Sequence, residues 1–300
     1  EMKNRIYNEG QLIKERLAEI SDYIYNNPEL GNEEYKAVEA LTTCLKEHNF
    51  QVECPIADMD TAFKATFDSG KPGMTIGYLC EYDALPKIGH GCGHNMIGSM
   101  SAGAGIILSK VLDEVGGKII VYGTPAEETN GAKVIFAEEG VFDELDAAMM
   151  VHPGDKTLAS GKSMALYPLQ FTYKGKTAHA ASCPHEGINA LNAIIQLFNG
   201  IDALRQHVTP DVRMHGVITQ GGVAANIVPD EATAQFYFRA GTKETLDDIL
   251  EKVKNIAKGA ALMTGATLEM SRYELPNDNL KTHENLSSAF MENLKALGIE

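Results

Sequence analysis

The stretch Thr75–Asn95, TIGYLCEYDALPKIGHGCGHN, decides both the fold and the class of chemistry. It begins with an apolar run, Thr75 to Leu79, which has the length and composition of a buried strand. It ends in a glycine-rich loop in which Cys92 and His94 are two residues apart. A thiolate and an imidazole are strong ligands for a zinc-like cation, and glycines allow the backbone to bring both to one point. A lone pair of this kind is more often a buried cysteine beside a hydrogen-bonded histidine, so further ligands are needed to indicate a metal site.

Two later strands each end in further candidate ligands. Lys118–Tyr122 precedes Glu127 and Glu128, and Ala147–Val151 precedes His152. A small-residue helix over 97–112 and a helix near 130–139 separate these strands, so the order predicts a mainly parallel sheet. The carboxyl ends of parallel strands meet at one edge, where α/β sheets assemble their sites. We therefore expect a dinuclear metal site at this edge, formed from Asp83, Cys92, His94, Glu127, Glu128 and His152.

The segment 166–277 has a different pattern, βαββαβ, with strands near 166–174, 213–219, 231–239 and 267–273 and helices over 187–207 and 243–262. This order predicts a ferredoxin-like unit, in which two helices cover one face of an antiparallel sheet. A free sheet edge makes strand-to-strand dimerisation plausible. The expected architecture is an α/β catalytic domain (1–165), an inserted ferredoxin-like lid (166–277) and the start of a returning catalytic segment (278–300), apparently truncated.

Composition limits the class of partner. The chain has 300 residues, 44% hydrophobic and 22% charged, and a formal net charge of −15, which disfavours binding to nucleic acid. No apolar run approaches the ~20 residues of a membrane span. The five cysteines are irregularly spaced, as is typical of reduced thiols, and the polar first residues do not resemble a signal peptide. We therefore expect a cytoplasmic protein that acts on a small molecule.

Five motifs together resemble metallopeptidase family twenty, the aminoacylase/carboxypeptidase family. They are Asp83-Ala84-Leu85-Pro86, Gly91-Cys92-Gly93-His94-Asn95, Pro125-Ala126-Glu127-Glu128, Gly175-Lys176-Thr177-Ala178-His179-Ala180-Ala181, and Gly221-Gly222 with Asn226-Ile227-Val228-Pro229-Asp230. The Cys-Gly-His form is similar to the amidohydrolase branch that cleaves N-acyl amino acids. Asn95 in place of Asp resembles its p-aminobenzoyl-glutamate hydrolase and β-alanyl-lysine dipeptidase subgroup.

The resemblance implies a role for each matched residue in the first domain. Cys92, His94, Glu128 and His152 correspond to ligands of two divalent ions, with zinc as the leading choice and manganese, cobalt or nickel as alternatives. Glu127 corresponds to the general base. The remaining match, Asp83, is the carboxylate that orients a ligand histidine.

In the lid, the resemblance implies that His179 reaches the neighbouring subunit's site and stabilises the tetrahedral oxyanion. It also implies that Asn226 and Arg239 hold the carbonyl or carboxylate of the substrate. Other interpretations remain open from the residues themselves: Asn226 can close a turn, and Arg239 can pair with a structural carboxylate. Likewise, Glu127 and Glu128 in isolation are typical of a solvated acidic loop.

The resulting hypothesis is a metal-dependent hydrolase of amide bonds in small N-acyl amino acids, aryl-amide conjugates or dipeptides with a free carboxylate. It is expected to act as a homodimer through the lid. A di- or tripeptidase is the alternative among enzymes. The family has one more histidine ligand near its C-terminus, and no histidine follows His283 in this sequence. The alternative outside enzymes is therefore an inactive ligand-binding or partner subunit, or a fragment that lacks the last ligand.

Overall fold

The sheet of the first unit carries the predicted site. The computed structural model describes residues 1–299, and the chain divides into two units, Glu1–Lys156 and a second that begins at Thr157. The helices and strands of the first unit are α1 (Met2–Asn26), α2 (Tyr35–Glu47), β1 (Gln51–Glu53), β2 (Phe63–Asp68), β3 (Thr75–Cys80), α3 (His94–Ser109), α4 (Leu112–Val115), β4 (Lys118–Gly123), α5 (Ala132–Glu138) and β5 (Ala147–Met149).

Strand β2 runs against the other four strands of this sheet. The order across the sheet is β1-β2-β4-β3-β5; β3 pairs in parallel with β4 and β5, whereas β2 pairs antiparallel with β1 and β4. Residues 69–74, between β2 and β3, are too few to carry the chain back along the sheet, so β3 runs opposite to β2. The predicted α/β class is confirmed, with a mixed pairing caused by this reversed strand.

Helix α3 packs closely on the sheet because its residues are small. A Cβ at Gly105 would lie 2.5 Å from Val121 Cγ2 of β4, so a larger residue would push the helix off the strand. The helix begins at His94, three residues before the predicted start at Ile97. This difference matters for the site, since it places His94 in the first helical turn.

Two further predicted boundaries in the first unit are wrong. The amphipathic pattern of residues 11–25 predicts a helix over that range, whereas helix α1 begins at Met2. Arg5 in its first turns forms ion pairs with Asp113 and Glu114 of α4, which gives this exposed part of the helix tertiary contacts. Strand β5 ends at Met149 instead of Val151. His152 therefore follows the strand in a segment without regular structure.

The second unit has the predicted βαββαβ order. Its elements are β6 (Ala165–Lys174), α6 (Ala190–Leu204), β7 (Arg213–Gln220), β8 (Glu231–Ala240), α7 (Lys243–Thr264), β9 (Thr267–Ser271) and α8 (Glu284–Ala296). The four strands form an antiparallel sheet of order β7-β8-β6-β9, and helices α6 and α7 pack against it. This arrangement confirms the ferredoxin-like unit.

The core of the second unit lies between its helices and its sheet. Leu197 of α6 and Val253 of α7 are fully buried with Phe171 and Phe236 of the strands. Strands β7 and β9 form the two edges of the sheet, and most of their residues are exposed. Within residues 1–299, no helix combines the length and apolarity that crossing a bilayer requires.

Candidate metal centre

His94 lies at the centre of the candidate site, and the residue before it fixes its position. Gly93 has a φ of +74°, in the left-handed region, and a Cβ at this position would lie 2.5 Å from Pro153 Cγ. Glycine is the residue that tolerates both this backbone conformation and this contact. The side chain of His94 is only 1% exposed, so its ring nitrogens depend on protein groups or a bound ion for partners.

Asp83 orients both His94 and the loop that carries Glu127 and Glu128. Asp83 Oδ1 lies 2.8 Å from His94 Nδ1, and Asp83 Oδ2 accepts a hydrogen bond of 2.9 Å from the backbone N–H of Glu128. Burial alone would raise the pKa of Asp83, but the hydrogen bonds from His94 and Glu128 outweigh it, and the pKa is lowered. An ionised Asp83 accepts a hydrogen bond from Nδ1–H and so keeps the proton on Nδ1, which leaves the lone pair of a neutral His94 on Nε2.

Two groups of potential ligands surround His94. Cys92, His94 and Glu128 form one group, and Glu81, His94 and His152 form the other; the donor atoms of each group lie within 4.8 Å of one another. Every member of these groups except Glu81 is among the residues that the sequence pattern predicts for the site. We call these residues, together with Glu127, the edge cluster: Glu81, Cys92, His94, Glu127, Glu128 and His152.

Within the edge cluster, Glu127 is the more exposed of the two adjacent glutamates. Its Oε2 is 3.8 Å from His94 Nε2, and its side chain is 43% exposed, against 26% for Glu128. Burial of its carboxylate, together with the neighbouring charge of Glu81, raises the pKa of Glu127. A carboxylate with a raised pKa that faces solvent is suited to accept a proton from water.

Glu34 supports the loop that carries Glu127 and Glu128, a role that the sequence pattern did not indicate. Glu34 is fully buried and accepts hydrogen bonds of 2.8 Å from the backbone N–H of Ala126 and of 2.7 Å from Thr61 Oγ1. Ala126 has a φ of +58°, which is unfavourable for a residue with a Cβ. Burial raises the pKa of Glu34, although its hydrogen bonds oppose the shift. Glu34 therefore holds residue 126, and Asp83 holds residue 128, on either side of Glu127.

In the second unit, the structure brings two of the three predicted residues together. His179 pairs with Ile227 in an isolated β-bridge, and Ala180 N–H donates a 3.0 Å hydrogen bond to the carbonyl of Asn226. His179 Nδ1 accepts from the N–H groups of Ala181 and Ser182, both at 3.2 Å. In the neutral ring this leaves the proton on Nε2, which is then free to act as a hydrogen-bond donor.

Arg239 does not join His179 and Asn226. It lies eight residues along β8 from Glu231, which corresponds to ~26 Å of extended strand. Its Nε lies 3.4 Å from His215 Nε2, and its guanidinium is 5.7 Å from the ring centre of Tyr237. No carboxylate among residues 1–299 forms a salt bridge with Arg239.

Comparison with known proteins shows the family to which the chain belongs. Residues 166–263 match the peptidase dimerisation domain of the M20 family. The Xaa-Arg dipeptidase of Mus musculus is 36% identical, over 95% of this chain and 69% of its own length. The chain belongs to the M20 family of peptidases. A subunit of the p-aminobenzoyl-glutamate hydrolase of Escherichia coli is 33% identical to this M20 chain, over 95% of the chain and 63% of its own length.

A solved structure supports the fold over both units. A dinuclear metal-binding peptidase of the M20 family from Bacillus subtilis has a TM-score of 0.70 and 21% identity, and the match covers 97% of this chain and 82% of the other. The prediction of the family is thus confirmed, and so is the prediction of a metal-dependent hydrolase of amide bonds. The metal ions, the residue roles and the substrate belong to the proposal that follows.

Proposed function

We propose that this chain hydrolyses the amide bond of a small substrate with a free carboxylate, at a centre of two divalent ions held by residues of the edge cluster. The observation that carries the proposal is the convergence of sulfur, imidazole and carboxylate donors around His94 Nε2, with Glu127 at 3.8 Å. Sulfur, imidazole and carboxylate are the ligands that zinc prefers in proteins. Zinc is therefore the first choice of metal, with manganese, cobalt and nickel as alternatives.

The donor atoms suit a cation because several of them are buried without a hydrogen-bond partner or carry a proton that a cation would replace. His94 Nε2 and Glu81 Oε2 are buried and have no hydrogen-bond partner among residues 1–299. A hydrogen bond with Glu128 and burial raise the pKa of Cys92 to about 11, so its thiol is protonated in the free protein. Burial disfavours a charged His94, but Asp83, Glu81 and Glu127 outweigh it and raise its pKa. A divalent ion would displace both protons and satisfy these atoms.

Cys92, His94, Glu128 and His152 would hold the ions. When bound, the metal polarises the amide carbonyl and lowers the pKa of a water molecule. Glu127 would accept the proton of the attacking water and deliver it to the departing amine. Asp83 would keep the His94 ring in the tautomer that presents Nε2.

The lid would supply the remaining groups as part of a homodimer. The match to a peptidase dimerisation domain and the exposed apolar side chains on the edge strand β7, Val217 (60%) and Ile218 (45%), support pairing between two copies. The Nε2–H of the partner's His179 would then donate to the developing oxyanion. Arg239, which forms no salt bridge with a carboxylate among residues 1–299, would bind the carboxylate of the substrate.

Two substrate classes are compatible with the relatives. One relative is named for dipeptides that end in arginine, and the other for an aryl amide of glutamate. Both substrates have a free carboxylate next to the amide that is cleaved. We place N-acyl amino acids, aryl-amide conjugates and dipeptides together in the leading proposal. A strict di- or tripeptidase is the second.

The first test compares metal content and substrate range. Cys92→Ala should remove bound metal while the protein remains folded, and Cys54→Ala, an exposed thiol in the same unit, should leave metal content unchanged. Protein loaded with zinc, manganese or cobalt should then be assayed against Xaa-Arg dipeptides, aminobenzoyl-glutamate and N-acetyl amino acids. Wild-type protein that holds no stoichiometric metal after reloading would contradict the proposal, and activity on peptides alone would favour the second candidate.

A further inference from the structure

Glu81 is the one member of the edge cluster that the sequence pattern did not predict. It is a buried carboxylate, and one of its oxygens faces a histidine of the cluster while the other faces a lysine. It follows β3 directly, and its side chain is 3% exposed. Lys133 Nζ of α5 forms an ion pair with Oε1. On the other side, Oε2 is 3.2 Å from His94 Nε2. Neither of these two atoms has a hydrogen-bond partner among residues 1–299.

This contact is unfavourable between the neutral imidazole and the carboxylate. His94 Nδ1 faces Asp83, so the lone pair of the neutral ring is on Nε2 and points towards the lone pairs of Glu81 Oε2. A proton on Nε2 would turn the contact into an ion pair, although the two atoms do not form a hydrogen bond. A cation held by both donors would also relieve the repulsion between them.

The separation agrees with two ligands on one ion. Donors at ~2.0–2.2 Å from a tetrahedral zinc ion lie roughly 3.3 Å from each other, close to the observed 3.2 Å. His152 supplies a third donor, and all three donor atoms lie within 4.8 Å of one another. The arrangement is therefore more than an acidic surface cluster, since His94 Nε2 and Glu81 Oε2 are buried, make no hydrogen bond among residues 1–299 and lie close together.

We propose that Glu81 is a ligand of the metal centre and that Lys133 is its counter-ion. Glu81 would bind through Oε2 while Lys133 retains Oε1. Lys133 would thereby offset one negative charge among the ligands and lower the affinity for a divalent cation. The inference rests on the metal centre proposed above and adds a ligand that the family motifs did not suggest.

The two members of the pair should have opposite effects on metal affinity. Glu81→Gln keeps the shape of the side chain but removes its charge, and should weaken zinc binding by about tenfold to a hundredfold or more. Lys133→Met keeps most of the aliphatic stem, removes the competing charge and should tighten zinc binding. If the pair is only a structural ion pair, both variants break the same contact and should weaken zinc binding alike.

The experiment is a zinc titration of metal-free protein in competition with a chromogenic chelator. It should include wild type, Glu81→Gln, Glu81→Asp, Lys133→Met and Glu139→Gln, whose carboxylate is exposed beyond the end of α5. Thermal unfolding of each metal-free variant checks the fold. We expect weaker binding for Glu81→Gln, partial recovery for Glu81→Asp, tighter binding for Lys133→Met and no change for Glu139→Gln.

X-ray absorption of the zinc-loaded proteins separates a ligand from a neighbour. The Glu81→Gln spectrum should lose one oxygen or nitrogen neighbour relative to wild type. Unchanged affinity and coordination in Glu81→Gln, or equal weakening in Glu81→Gln and Lys133→Met, would overturn the assignment of Glu81 while the metal centre stands. Failure of wild-type protein to bind zinc at all would instead overturn the proposed metal centre itself.

Discussion

The predicted residues of the two units differ in how far the fold prepares them. Around His94 in the first unit, donor atoms converge within 4.8 Å, and buried carboxylates fix the residues that carry them. In the second unit, His179 and Asn226 are exposed, and Arg239 lies ~26 Å of strand away from the start of β8. The first unit therefore contains a nearly assembled site. The three predicted residues of the lid do not form a site among themselves, so any catalytic role for them requires groups from outside their own unit.

Glu127 provides the largest test of this difference, because it belongs to the assembled site. Glu127→Gln should lower kcat by about 10²–10⁴-fold with metal content retained, since the amide does not accept the proton of water. Its matched partner is Glu128→Gln, which should lose both activity and metal. Kinetics with elemental analysis of the two variants checks the prediction. Similar metal loss in both would mean that the roles of the adjacent glutamates are assigned incorrectly.

His179 should have a smaller effect and a different dependence on the oligomer. His179→Ala should lower kcat by about 10²–10³-fold, the usual cost of an oxyanion donor, without loss of metal. Mixing Glu127→Gln subunits with His179→Ala subunits should restore part of the activity, because one site of each mixed dimer has both residues intact.

The control for this mixture is His185→Ala, an exposed histidine in the same loop region, which should be active without a partner. Subunit exchange can be followed with two differently labelled populations. Exchange without recovery of activity would place His179 in its own subunit's site, or outside catalysis, and the contrast between the two units would then need a different explanation.

The sequence predicted the parts of the molecule in which local pattern and topology agree. Strand ends of a mainly parallel sheet had to bring Cys92, Glu128 and His152 to one edge, and the βαββαβ pattern determined the lid. The sequence did not distinguish Glu81 or Glu34 from solvated carboxylates. Glu81 follows a predicted buried strand and lies two residues before the motif that begins at Asp83, and Glu34 stands in an acidic pair before α2. Their burial depends on contacts with Lys133 and Thr61, which lie 52 and 27 residues away along the chain.

Glu34 gives the smallest expected effect and tests how the assembled site is held. Glu34→Gln replaces an acceptor with an amide that satisfies Ala126 N–H and Thr61 Oγ1 less well, so the free energy of unfolding should fall by about 1–3 kcal/mol. If ~1.4 kcal/mol of loop positioning is lost, kcat should fall about tenfold with little change in metal affinity. Glu33→Gln, at the exposed neighbour, is the matched control and should change neither quantity.

The dependence on pH distinguishes a buried carboxylate from a merely well-packed side chain. Because the pKa of Glu34 is raised in the folded protein, its contribution to stability is fully present below its usual pKa of 4.5 and declines as the pH rises through the folded pKa. The difference in unfolding free energy between wild type and Glu34→Gln should therefore be largest in acid and decrease towards neutral pH. Chemical denaturation of both proteins at several pH values measures this difference. A difference that does not vary with pH, together with unchanged kcat, would mean that Glu34 fills space beneath the loop and does not position Glu127.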